Sequence, residues 1–423
     1  MIVEIDLGVL KFELEECSID KLDQALDVAI KRRQRAVFKE YMEREDVRLV
    51  KENRTCPKCG QAMSINSRQT RRMGILAGPV TIYRRRLRCR VCGLERYPLD
   101  EKWTRSRRHT LPVIERALYL ATDTSYEKAA AALKKLTGAE MSHGQIQMLA
   151  KEEGAQAGRE LDKQAHDLFG LGLDPGEIIK RGKDDTIIIA VDGGMIPDRA
   201  TKDDFEAKVG VIYGIKGKVS KGRMALVDRV AYASLEDGFR FGQKLFCLAR
   251  RHGVLSAGRA LLIGDGAAWI RHLAADFFPQ AVYLLDLFHL KRRINQVLNT
   301  DQDEALACAI VEACQKGEPR RALSLLHGYH AQTPEHAEEL RKLQGYIYTN
   351  REGIANYARS DLFGSGAVEK AVDILISRRF KMRGMSWLKG GAKGMLALRL
   401  LRFNGQWDAY WKQRMEQIQT CVA

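Results

Sequence analysis

Two short cysteine motifs constrain this chain more than any other stretch: CPKCG at Cys56–Gly60 and CRVCG at Cys89–Gly93. In each, two thiols three positions apart on a tight turn can aim at one tetrahedral metal ion. The glycine after the second cysteine permits the positive φ that such a knuckle turn needs. Between the pairs, TRRMGILAGPVTIYRRRLRC reads as a hairpin turning at Gly78–Pro79. Two knuckles joined by hairpin strands describe a zinc ribbon, with structural Zn2+ on Cys56, Cys59, Cys89 and Cys92. Such a site supplies stability and a docking platform rather than catalysis. Cys17, Cys247, Cys308, Cys314 and Cys421 follow no pattern, and an odd total of nine argues against a disulfide framework.

A second constraint comes from two segments of the same form. TIIIAVDGG (Thr186–Gly194) and LLIGDGAAW (Leu261–Trp269) are each an apolar strand ending on an aspartate and glycine. The glycines are expected to turn the chain and to let a ligand approach the backbone. An ionised Asp192 or Asp265 at the mouth of a buried strand is costly without a cation or donor beside it. Two such aspartates are half of a metal site.

Charge narrows the partners. The 423 residues carry a formal net charge of +16, which favours a polyanion. Residues 51–110 hold sixteen Lys and Arg against four Asp and Glu, and residues 376–402 hold eight and no acid. That clustering points to nucleic acid, with Arg84, Arg85, Arg86 and Arg88 before the second knuckle placed to meet phosphates. No apolar run approaches the ~18 residues that span a bilayer. The N-terminal MIVEIDLGVLKFELEE is acidic and mixed, unlike a secretory signal, so the chain reads as cytoplasmic.

The pattern divides the chain into six stretches. Residues 1–53 are a leading segment and one long polar helix from an N-cap at Ser18, with apolar positions at Leu22, Leu26, Val28 and Ile30. Residues 54–105 are the zinc ribbon. Residues 106–170 are helical, with capping boxes at Thr124/Glu127 and Ser142/Gln145 around a Gly138 stop. This helix–turn–helix-like layout is suited to DNA. After a linker at 170–185, residues 184–290 read as three strands, a helix, then strand–helix–strand, the order of a ribonuclease H-like α/β domain. The third strand is read over Gly222–Ala233. Residues 291–357 are a helical insertion, and 358–423 return to the core with a helix from Gly364 that carries Glu369.

In that topology the first and fourth strands are neighbours, so Asp192 and Asp265 converge, and Glu369 on a packed helix completes a carboxylate triplet. Two Mg2+ (or Mn2+) ions on such acids serve both oxygens of an in-line phosphodiester displacement. Arg378, Arg379, Lys381 and Arg383 follow Glu369 on the same helix and would neutralise flanking phosphates. Trp387 reads as core rather than as a base-stacking residue. Glu206, in FEAKVG, is left unplaced by strand alternation alone.

DGG, GDGAAW, LDLFHL and GSGAVEK…RGMSW…GAKGMLALR together resemble the bacterial insertion-sequence transposases of the Mutator-like DDE group. The resemblance runs from the cysteine motifs to the C-terminus and is most specific in the last third. It implies that Asp192, Asp265 and Glu369 are the DDE acids. It further implies magnesium-dependent nicking at element ends, strand transfer by the freed 3′-hydroxyl, and a helical insertion between the second Asp and the Glu. The family's aspartate-x-x-histidine motif falls on Asp286 and His289. Asp286 is then a fourth ligand or the residue that orients His289, and His289 either contacts the scissile phosphate or is a satisfied core histidine.

The expected activity is thus a DDE transposase acting on double-stranded DNA, both element ends and target, as a homo-oligomer in a bacterial cytoplasm at the nucleoid. The alternatives are a non-catalytic DNA-binding descendant of such an enzyme and a structure-selective nuclease on the same fold.

Overall fold

The computed structural model describes residues 18–104, 108–214, 216–220, 223–226, 228–298, 303–331, 333–360 and 366–420. The leading segment, Cys17, Cys421 and the start of the Gly364 motif lie outside them. The protein is a mixed α/β chain in two compact units, residues 1–150 with 408–423, and residues 151–407. Among the described residues no helix is long and apolar enough to cross a membrane.

The N-terminal unit begins with α1 (Ile19–Glu52), capped by the Ser18 hydroxyl, which accepts from the Lys21 amide. Leu22, Val28 and Ile30 are exposed, and the buried positions are Met42, Asp46, Leu49 and Val50 in the second half. That half packs on a hairpin of β1 (Met63–Ile75) and β2 (Gly78–Cys89), which β3 (Glu95–Arg96) extends. The hairpin turns at Leu76–Ala77, two residues before the expected Gly78–Pro79, and Pro79 lies in β2 opposite Gly74. Beyond Thr81 its inner face is apolar, and Met73, Ile75, Val80 and Ile82 join Met42 and Leu49 in one core.

Three helices follow: α2 (Leu111–Ala121), α3 (Tyr126–Thr137) and α4 (His143–Leu171). Ser125, not Thr124, caps α3, because the Thr124 hydroxyl is already donated to the Leu120 carbonyl. The Ser142/Gln145 box forms in both directions, each side chain accepting from the other's backbone amide at 3.1–3.2 Å.

The larger unit is built on β4 (Thr186–Pro197) and β5 (Asp204–Tyr213). A small hairpin, β6 (Lys216–Ser220) and β7 (Arg223–Leu226), leads to β8 (Arg229–Ser234), so the single strand expected over Gly222–Ala233 is two. Then come α5 (Gly238–Arg251), β9 (Arg259–Gly264), α6 (Ala268–Phe277) and β10 (Val282–Leu285). The sheet order is β10-β9-β4-β5-β8. β4 runs parallel to β9 and antiparallel to β5.

β4 is apolar from Ile187 to Val191 because both its faces are covered there. Ile187, Ile189 and Val191 pack with Phe241, Leu245, Ile270 and Leu273 of α5 and α6. The opposite face meets helices from the end of the chain. Between them run α7 (Leu287–Val297), α8 (Glu304–Gln315), α9 (Pro319–His327), α10 (Pro334–Thr349) and α11 (Arg351–Ala355), which hold a core of their own.

The chain returns as α12 (Gly366–Val372), a π-helical turn (Asp373–Ser377) and α13 (Arg378–Phe380), then α14 (Lys389–Phe403) and α15 (Trp407–Thr420). The helix expected to carry Arg378, Arg379, Lys381 and Arg383 therefore stops at Phe380, short of the last two. Trp387 is buried, its amide donating to the Pro197 carbonyl at the end of β4.

Gly194 sets how closely this last segment approaches the sheet. A Cβ there would lie 2.6 Å from Ile376 Cδ1 and 3.2 Å from Val372 Cγ1. Gly194→Ala is expected to cost about 1–3 kcal/mol by overpacking. Gly158→Ala, in α4 with nothing within 4 Å, should gain about 0.5–1 kcal/mol. Urea midpoints of the two variants check both, and an unperturbed Gly194→Ala protein would show that the segment does not sit this close.

Candidate functional site

Register decides which side chains share a face. The β4–β9 pairing ends at Val191 opposite Gly264, so Asp192 and Asp265 are the next residues on neighbouring parallel strands. DGG does not turn the chain: β4 continues to Pro197, paired only with β5 beyond Val191. Asp265 leaves its strand in a tight turn, its Oδ1 accepting from the Ala267 amide at 2.9 Å. Asp192 lies two residues from Gly194 and so faces the side on which α12 packs, which is the helix that carries Glu369.

Asp286 follows β10 and caps α7, its Oδ1 accepting from the Phe288 amide at 2.9 Å. His289 Nδ1–H donates to Asp286 Oδ2 at 2.6 Å, so Asp286 orients His289 directly. Among the described residues, Asp286, His289 and Glu369 form a group whose ligand atoms lie within 4.8 Å of one another. Asp192 and Asp265 stand outside that tight group but within electrostatic reach of it.

Burial raises the Asp192 carboxyl to about 6; Asp265 and Asp286 push the same way, and the Gly193 amide and His289 oppose. The His289 imidazole is raised by its bond to Asp286, against the effect of burial, and by the charges of Asp192 and Asp265. Carboxylates crowded in this way at a sheet end, with one imidazole to offset them, form a donor set suited to a divalent cation.

Glu206 belongs to the other face. It is paired opposite Met195 on β5, out of phase with Asp192, and accepts from Trp269 Nε1 at 3.2 Å while Lys208 Nζ lies 3.0 Å from its other oxygen.

Sequence reasoning missed two supports. Tyr346 of α10 donates its hydroxyl to the Asp265 carbonyl at 2.6 Å, and Arg293 of α7 lies over the Tyr346 ring at 4.3 Å. Both come from the insertion, where periodicity shows a helix but not which side chain reaches the strand ends. Beside His289 a cavity of about 360 Å3 is walled by Arg292, Arg293 and Lys342 with Glu339.

The expected phosphate-binding arginines are mostly engaged within the protein. Arg84 pairs with Asp100, Arg85 with the buried Asp46 at 2.6 Å, and Arg86 with Glu95 at 3.1 Å; Arg88 is the most exposed of the four. In the last segment Arg379 is fully buried, bonded to Met385 Sδ and lying over the Trp387 ring, so it cannot reach a phosphate. Arg378 pairs with Asp373 at 2.8 Å, and Lys381 and Arg383 are exposed.

The four motif cysteines converge, with Sγ–Sγ separations of 3.5 Å for Cys56–Cys92 and for Cys59–Cys89. The edge of a tetrahedron with metal–sulfur bonds of ~2.3 Å is about 3.8 Å, so the quartet fits such an ion. The knuckles match: Gly60 and Gly93 sit at φ 72° and 73°, and each donates its amide to the first cysteine's carbonyl. The Cys92 and Val91 amides help hold the Cys89 thiol below the usual thiol range, favouring the thiolate that a metal ligand needs.

A model of the family described as "Uncharacterised protein family (UPF0236)" matches residues 13–417. A Streptococcus gallolyticus protein described as "UPF0236 protein in vanSb 3′region" is 25% identical over 368 residues, spanning 83% of this chain and 77% of its own length.

The raised Asp192 carboxyl makes a stability prediction. Its folded-state value lies above the unfolded one, so its contribution is fully present below about pH 4 and lost as pH rises through about 6. Asp192→Asn removes that loss. The variant is expected to match the parent near pH 4 and to exceed it by on the order of 2–3 kcal/mol at pH 8 in metal-free buffer. Denaturation midpoints at the two pH values measure this, and a variant less stable at pH 8 would contradict the burial argument.

Proposed function

The chain belongs to the UPF0236 family, and from that premise we propose that it is a DDE transposase of the Mutator-like type, cutting and joining double-stranded DNA in a ribonuclease H-like domain. The observation that carries this reading is the convergence of Asp192, Asp265, Asp286, His289 and Glu369 at one sheet end. The family match includes both this site and the cysteine quartet. The cationic cavity beside His289 supports a phosphate polymer as substrate.

Asp192, Asp265 and Glu369 are the residues that would hold two Mg2+ or Mn2+ ions, which would supply charge stabilisation at the attacking and leaving oxygens. Asp286 keeps His289 oriented and favours its protonated form, so the imidazolium is placed to donate to a phosphate oxygen. Tyr346 and the turn after Asp265 fix that carboxylate's backbone and limit its movement. The enzyme would act in the cytoplasm at the nucleoid, as a homo-oligomer able to hold two DNA ends.

Purified protein incubated with labelled element-end DNA, a target plasmid and Mg2+ should yield joined product. Glu369→Gln should lower it by more than about 100-fold, beyond the loss typical of an outer-shell partner, with an unchanged denaturation midpoint. Cleavage without joining would favour a nuclease; DNA binding with neither activity would leave a non-catalytic descendant.

The cysteine quartet is proposed to hold structural zinc. Elemental analysis should find about one zinc per chain, lost in Cys56→Ser together with the stability of the N-terminal unit. A zinc-free protein with that unit folded would defeat the assignment.

A further inference from the structure

A cavity larger than the one beside His289 stands apart from the carboxylates. It lies within the N-terminal unit, between the β1–β2 hairpin and the helices α3 and α4, with a volume of about 850 Å3. Its walls carry Arg71, Arg72, Arg84, Arg108 and Lys134 against one acid, Glu140.

The pairing of these cations is uneven. Arg71 and Arg84 converge on a single carboxylate, Asp100, with Arg71 at 2.7 Å. Arg72 and Lys134 converge on Glu140 at 2.8 and 3.1 Å. In these pairs, among the described residues, two carboxylates meet four cations, and the exposed Arg108 adds a further positive charge close enough to act on Arg71.

Two partly buried guanidiniums side by side repel each other in a setting where water screens them poorly. Burial lowers both Arg71 and Arg84 from the usual arginine range, and the charge of Arg108 adds to this at Arg71 and that of Arg71 at Arg84. Arg84 is further fixed over the Tyr97 ring at 4.2 Å. His109, at the same wall, is pushed down by burial and Arg108 against its bond to the Glu140 carbonyl, which disfavours a charge there. The first turn of α4 opens on the cavity through Ser142 and Gln145, so the positive end of a 29-residue helix adds to the field. A cationic pocket lined by more bases than acids is a site that an anion would complete.

We propose that this cavity binds phosphate groups, taken from the backbone of duplex DNA lying across the hairpin and α3. The phosphate chemistry stands on the pocket alone; the polynucleotide as its source rests on the reading of the chain as a DNA-processing enzyme. Arg71 and Arg84, both held on one oxygen of Asp100, supply positive field from the wall rather than free donors, and guanidinium charge suits phosphate oxygens. Lys134 and Arg108 at the rim meet the neighbouring phosphates. The contacts are to backbone and carry no base sequence, so the pocket sets register and grip rather than site choice.

The test uses the full chain and the double variant Arg108→Ala/Lys134→Ala, whose exposed side chains are not the arginines paired with Asp100. Binding of a short labelled duplex of arbitrary sequence is followed against KCl concentration, and binding of inorganic pyrophosphate by calorimetry. The variant is expected to bind duplex roughly tenfold more weakly at low salt, with the log–log salt slope reduced by about 2. Pyrophosphate should compete with duplex on the parent and bind the variant more weakly. Unchanged duplex affinity and slope, with pyrophosphate binding also unchanged, would overturn the pocket. Weakened pyrophosphate binding with unchanged duplex binding would overturn the polynucleotide and leave a free phosphate compound as the ligand. Parallel assays of DNA joining separate this from the catalytic reading. A parent that joins no DNA yet binds duplex more tightly than the variant would sink the transposase reading and keep the pocket.

Discussion

The parallel pairing of β4 with β9 is the constraint on which the larger unit depends. It ends at Val191 opposite Gly264 and leaves two aspartates adjacent where the backbone ladder stops. A register slipped by one residue would turn these carboxylates into the apolar layer of α5 and α6. The sheet therefore does two jobs with one register. It buries Ile187, Ile189 and Val191 on one side, and on the other it brings like charges together at a cost that burial of the surrounding core has to offset. Gly194 adds the third element: without a Cβ it lets the segment bearing Glu369 close on the face that Asp192 occupies.

The helical insertion and the last helices secure the sheet's margins. At one edge Asn356 Nδ2 donates to the Tyr283 carbonyl at 2.8 Å and Tyr357 Oη to the Leu285 carbonyl at 2.7 Å. At the other, Asn404 makes a two-way bond with the Ala231 amide and carbonyl, both at 2.9 Å. Side chains thus satisfy backbone groups that an open edge would offer to another strand. The insertion also reaches inward through Tyr346 to the carbonyl of Asp265. Its position in the chain, between the second aspartate and Glu369, means that one body of helices both covers the β10 edge and steadies the acids.

Much of this was legible in the sequence because the signals were local. The β-branched run of β4, the alternation of strands and helices after it, and the CPKCG and CRVCG spacing each report a backbone geometry within a few residues. Asp192, Asp265, Asp286, His289 and Glu369 were all marked from strand ends, helix placement and the family resemblance. What stayed hidden depended on partners far away in the chain. Arg85 reads as a free cation until Asp46 of α1 is beside it. Arg379 reads like its neighbours until Trp387 folds back over it. Glu206 required the β4–β5 register, which no single strand contains. The hairpin turn was misplaced because Gly78–Pro79 is strong turn chemistry, yet pairing of Ile75 with Gly78 makes the tighter two-residue connection.

The matched knuckles have a consequence for how the chain is made. Neither pair of thiols encloses anything alone, since each supplies half of the quartet, and the second pair lies roughly thirty residues behind the first. At ribosomal speeds this separates the appearance of the two by about two to six seconds. During that interval Cys56 and Cys59 are paired thiols on a nascent chain without their partners, exposed to oxidants and to competing metals. The N-terminal unit would then be the part of the protein whose yield depends most on the redox state and metal supply of the cell that translates it.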